Sequence, residues 1–114
     1  MSYDADIIKR VHKTNYTSNI YPILDLAFKN LQNQGKAKDY YDHWTEQLKG
    51  PFGERDYLRD LILEIKSRPD LYESLQPEID PKTGERWGSY KGCIKWLEEI
   101  LVNWKEDCEI EITW

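Results

Sequence analysis

Asp39 and His43 stand four residues apart, as do Asp42 and Glu46. On a helix that spacing puts both members of a pair on one face, where a carboxylate and an imidazole can work as an oriented acid and base or share a metal ion. A metal site needs three or four ligands, and the chain's other histidine, His12, has no acid four positions on. The stretch therefore reads as a solvated helix face, and no metal is expected. Nucleophilic chemistry has no better support. Cys93 sits within an apolar stripe and reads as a buried structural thiol, as does Cys108 at the edge of an alternating tail. There is no G-x-S-x-G turn, no P-loop and no G-x-G-x-x-G. Neither a catalytic residue nor a cofactor is assigned.

Two other features point to binding. Gly84, Gly88 and Gly92 recur at intervals of four around Arg86 and Lys91, just before a long helical pattern. Free amides at a helix start beside cations can hold a phosphate or carboxylate, so Arg86, Ser89, Tyr90 and Lys91 form a candidate anion or nucleotide site, with Trp87 or Tyr90 to stack on a ring. The plainer account is that these glycines shape a turn, ease the chain into the helix and allow close packing. The second feature is aromatic content: five Trp, eight Tyr and two Phe in 114 residues, more than a core of this size readily hides. Tryptophan, tyrosine and arginine dominate interface hot spots. Those not explained by regular stripes lie in the C-terminal third, and Arg86, Trp87, Trp96, Ile112 and Trp114 are the expected partner contacts.

These residues must be carried by helices and one strand. Ile7, Ile8 and Val11 predict a short helix over Asp4–Lys13. A second begins through Ser18 to Pro22, carries Leu24, Ala27, Phe28 and Leu31, and closes at Gly35. Tyr40, Tyr41, Trp44 and Leu48 predict a third over residues 37–49, ended by Gly50-Pro51. The fourth, about Glu54 to Ser67, is the most regular, with acids early and cations late as the helix dipole prefers. Pro69-Asp70 starts a short helical turn, residues 77–88 form a loop, and Ser89 caps a last long helix running to Trp104. Cys108, Ile110, Ile112 and Trp114 then alternate with polar residues, a half-buried strand pattern. Its candidate partners within the chain are Tyr16–Tyr21 and Arg86–Tyr90; otherwise it would pair with a second copy in a homodimer or with another protein's sheet edge.

Charge narrows the partner. Sixteen basic and twenty-one acidic residues give a net charge of −5, with nearly all the excess acid after residue 53. No basic stripe is present to neutralise phosphates, so nucleic acid is not expected, and the carboxylates are too interspersed with cations to mimic it. No apolar run approaches the roughly 18 residues of a membrane span. The N-terminus opens with acids rather than a secretion signal, and the Asn15-Tyr16-Thr17 sequon is discounted with it. We expect a mainly α single domain over residues 1–114, a bundle of four to five helices with a short C-terminal β-strand, in the cytoplasm. It would act as a non-enzymatic protein-binding module, an adaptor or a stoichiometric inhibitor of the immunity or anti-defence kind; the alternative is the small-anion or nucleotide site at Gly84–Gly92, with or without catalysis.

Overall fold

The computed structural model describes residues 2–8, 12–49, 54–105 and 109–113. Strands β1 (Ser2–Ile8) and β2 (His12–Thr17) come first, followed by a 3₁₀ turn at Ser18–Ile20 and helix α1 (Tyr21–Asn33). After a turn-rich crossing come α2 (Arg55–Ser67), α3 (Pro69–Glu73), α4 (Tyr90–Asn103) and strand β3 (Glu109–Thr113). Helix predominates: α1, α2 and α4 pack on one another, and the sheet joins them through the contact of β2 with α4. The sheet is antiparallel in the order β2-β1-β3, with Ala5 opposite both Thr14 and Ile112 and Ile7 opposite both His12 and Ile110.

The expected first helix is thus corrected to two strands. Ile7, Ile8 and Val11 fit a helical stripe, but Tyr3, Ala5 and Ile7 fit a period of two, and all three are buried. Tertiary pairing decides between the patterns, because β1 gains backbone partners on both sides. Val11 lies outside the described residues. Neither Tyr16–Tyr21 nor Arg86–Tyr90 partners β3; β1 does, and Arg86 instead bridges Ile79.

The expected helix over residues 37–49 is also absent, replaced by turns and one 3₁₀ turn at Glu46–Leu48. Side chains take up the backbone groups a helix would have used. Gln32 Nε2 donates to the carbonyls of Lys38 and Tyr41 at 3.0 Å, Gln47 Oε1 accepts from the Lys38 amide at 2.9 Å, and Tyr57 donates its hydroxyl to the Trp44 carbonyl at 2.9 Å. In this irregular path Trp44, Thr45, Gln47 and Leu48 are all buried. Asp39 and His43 therefore do not share a helix face.

The other helices follow local signals. Pro22 occupies the first turn of α1, where its missing N–H has no helical role, and Gly35 at φ 74° allows the chain to leave in a left-handed conformation. Ser89 caps α4, its Oγ accepting the Gly92 amide at 3.0 Å. Helix α2 packs against α1 on one side and α4 on the other, and α4 reaches β2. Between sheet and helices lies an aromatic layer. The Tyr3 ring stacks on Trp96 with centroids 5.9 Å apart and meets Trp44 edge-on at 5.4 Å, while Tyr16 stacks on the same Trp96 at 6.2 Å. Each such pair contributes about 0.5–1.5 kcal/mol beyond the area it buries.

Tyr16 also sets the distance between β2 and α4. Its hydroxyl accepts the Ser89 amide at 3.1 Å, and a Cβ at Gly92 would overlap that hydroxyl. We predict that Gly92→Ala lowers stability by about 1–3 kcal/mol through overpacking, measured by urea unfolding; an unchanged midpoint would contradict the close approach of strand and helix.

Candidate functional site

Between α3 and α4 the chain makes a short hairpin over residues 77–88. Ile79 and Arg86 face each other across a β-bridge, and the Asp80 amide donates to the Glu85 carbonyl at 2.7 Å. The turn between them is closed three times over. Gly84 N donates to Asp80 O at 2.8 Å, Lys82 N to Asp80 Oδ1 at 2.9 Å, and Glu85 N to Thr83 Oγ1 at 3.2 Å. Gly84 adopts φ 71°, which glycine takes without steric cost.

The base of the hairpin is fixed as firmly. Gly88 has φ 101°, and a Cβ there would sit 2.6 Å from Thr17 Cγ2 and 3.1 Å from Ile20 Cγ2, so only glycine fits this docking against the end of β2. Asn19 Nδ2 donates to the Trp87 carbonyl at 3.4 Å. On this pinned backbone two large apolar side chains stand in solvent, Trp87 at 60% exposure and Ile79 at 53%, with Arg86 exposed between them in sequence.

The expected contact residues separate. Arg86 and Trp87 lie together on the hairpin, whereas Trp96 is 3% exposed and Ile112 is 2% exposed. Trp96 faces the sheet, where the rings of Tyr3 and Tyr16 cover it, and Ile112 lies opposite Ala5 on the inward face of the sheet. These two are core residues and leave the contact surface; Trp114 lies outside the described residues.

The candidate anion site is likewise rearranged. The Ser89, Tyr90 and Gly92 amides are taken by Tyr16 Oη, Gln76 Oε1 and Ser89 Oγ respectively. Tyr90 points inward, donating its hydroxyl to the Ile65 carbonyl at 2.9 Å. Ser89 and Tyr90 are therefore structural, a cap and a core ring, while Arg86 and Lys91 remain exposed.

The chemical candidates settle into packing roles. His43 Nδ1 lies 2.8 Å from Thr45 Oγ1, its ring stacks on Tyr21 at 5.6 Å, and burial lowers its pKa. Burial pushes the Cys93 thiol up to about 12, so the nucleophilic thiolate is suppressed. Cys108 lies outside the described residues. Among the described residues no group of three or more His, Cys, Asp or Glu is placed to hold a metal ion.

One polar cluster escaped the sequence reading. Glu64 is 7% exposed and ties three helices together. Its Oε2 accepts from Tyr72 Oη at 2.6 Å and Asn30 Nδ2 at 3.4 Å and lies 3.5 Å from Arg68 Nε, while Oε1 accepts from Gln34 Nε2 at 3.1 Å. The signal was its spacing: Tyr57, Leu61 and Glu64 continue one buried face of α2. A cavity of about 490 Å³ opens beside it, lined in part by Lys36, Asp60, Ser67 and Arg68. Burial would raise the Glu64 pKa, but the hydrogen bonds from Tyr72 and Gln34, the charge of Arg68 and the Asn30 amide outweigh it and hold the carboxyl below its ordinary value. A carboxylate held by that many donors fastens α1, α2 and α3.

Compared with protein-family models, curated proteins and solved structures, the chain has no match. Among the described residues no helix is long and apolar enough to cross a membrane.

The Glu64 network makes a prediction with a definite sign. Because the folded carboxyl is held below its ordinary value of 4.5, its contribution to stability is full above that pH and is lost as pH falls through the lower folded value. Glu64→Gln should cost about 1–3 kcal/mol at neutral pH, and the gap to wild type should close on acidification. Chemical unfolding at a series of pH values measures this, and a gap independent of pH would contradict it.

Proposed function

We propose that the chain is a non-enzymatic protein-binding module, an adaptor or stoichiometric inhibitor, that engages its partner through the 77–88 hairpin. The observation that carries this is Trp87, 60% exposed on a backbone fixed at its turn and at its base. Leaving an indole in water forgoes the burial that stabilises a small domain, and tryptophan is enriched among the residues that anchor one protein in another's pocket. Because the hairpin is already ordered, docking it costs little conformational entropy. Ile79 extends the apolar area, and Arg86 supplies hydrogen-bond donors beside it. A cytoplasmic setting belongs to the same proposal.

Affinity capture from native lysate with the tagged full chain tests it. A specific partner retained by the wild type should be lost with Trp87→Ala, whose truncation at a hot spot costs about 2 kcal/mol or more, and reduced with Arg86→Ala. Retention of every partner by both variants would overturn the assignment of the hairpin as the contact surface.

A further inference from the structure

Where α1 gives way to the 37–49 crossing a cavity of about 460 Å³ opens, lined in part by Gln32, Lys36, Lys38, Asp39, Tyr40 and Gln47. Small-molecule sites span about 300–1,000 Å³. One wall residue sets this cavity apart from an ordinary surface hollow. Gln47 is 7% exposed, and its Oε1 is held by the Lys38 amide at 2.9 Å. With the carbonyl fixed, the other half of the planar amide is fixed too, and Nε2 is left as a donor in a set direction. Among the described residues Nε2 has no acceptor, although covered polar groups are normally matched. An oxygen atom in the cavity that Gln47 lines would satisfy it.

The charges around the cavity sort into matched and unmatched. Lys38 Nζ lies 4.0 Å from Glu54 Oε1 and 5.8 Å from the centre of the Tyr41 ring, so its charge is balanced within the chain. Lys36 and Asp39 have no ion-pair partner among the described residues and do not pair with each other. The lining therefore offers one free cation and one free carboxylate, with no net charge. Gln32 spends its Nε2 on the Lys38 and Tyr41 carbonyls, which leaves its Oε1 as an acceptor. It stands in the last turn of α1, the helix end that favours a positive group. Tyr40, 69% exposed, adds the face of a ring.

A simple anion would answer Gln47 and Lys36 but face the carboxylate of Asp39, and a simple cation would answer Asp39 and leave the Gln47 donor unmatched. A ligand with both charges a few bonds apart answers all of them. We propose that this cavity is a site for a free α-amino acid with an apolar side chain. The ligand carboxylate takes Gln47 Nε2 and Lys36 Nζ, its ammonium takes Asp39 and Gln32 Oε1, and its side chain lies against the Tyr40 ring. None of these residues belongs to the hairpin, so the site stands or falls apart from the protein-binding reading.

An NMR titration of the isotope-labelled full chain with L-phenylalanine, taken to ~10 mM, tests this on the side-chain amide signals of Gln47. Those signals should shift and saturate. N-acetylphenylalanine lacks the ammonium and phenylalanine amide lacks the carboxylate, and each should bind about tenfold or more weakly. Lys36→Met and Asp39→Asn, both at exposed positions, should weaken phenylalanine binding by about the same factor. Gln47→Glu keeps an acceptor for the Lys38 amide but sets a carboxylate against that of the ligand, and should abolish binding, read on the Lys38 backbone signal. Circular dichroism checks that each variant keeps the fold. Gln47 signals that phenylalanine leaves unmoved, derivatives that bind as tightly as the amino acid, or exposed-site variants that bind it as the wild type does each overturn the inference.

Discussion

The ring of Trp96 is held between those of Tyr3 and Tyr16, and Tyr3 in turn meets the edge of Trp44. These contacts join elements from three regions of the sequence: β1 and β2 near the N-terminus, the 37–49 crossing and α4. Among the described residues sheet and helices share no backbone hydrogen-bond ladder, and side-chain packing supplies their attachment. Large flat rings do this well, because each buries much area while losing few rotatable bonds. With Tyr16 in this layer, its hydroxyl reaches the start of α4 and ties that end of the helix to β2.

The hairpin inherits its placement from the same attachment. Its base is pressed on Thr17 and Ile20, directly after β2, and its last residue leads into Ser89, which Tyr16 holds. Trp87 is exposed because the chain on either side of it is committed to the core while the turn itself is closed by its own hydrogen bonds. An indole carried on a rigid loop differs in consequence from one on a loose tail, since little ordering remains to be done when a partner arrives.

Legibility in the sequence followed the range of the interactions. The span of α2 and the serine cap of α4 could be read because helix bonds and caps join residues three or four apart. The segment over residues 77–88 is legible as a loop from its punctuation, and Arg86 and Trp87 stand out in it only by residue types that suit an interface. Trp96 was misplaced for a different reason. Its position on α4 lies at the margin of the stripe formed by Cys93, Leu97 and Ile100, and only a sheet pressed against that margin buries it. Glu64 was passed over because its donors come from Asn30, Gln34 and Tyr72, distant in sequence.

By itself, then, the sequence determined where α1, α2 and α4 run and which residues begin them, because the energies involved are local and each helix satisfies its own backbone. Tertiary structure decided that residues 2–8 form a strand, since the stripe at Ile7, Ile8 and Val11 and the alternation of Tyr3, Ala5 and Ile7 compete until backbone partners from residues 12–17 and 109–113 arrive on either side. It also decided which tryptophans face water. Exposure belongs to the packing of one element on another, so two residues of the same type, Trp87 and Trp96, nine positions apart, end on opposite sides of the boundary between core and solvent.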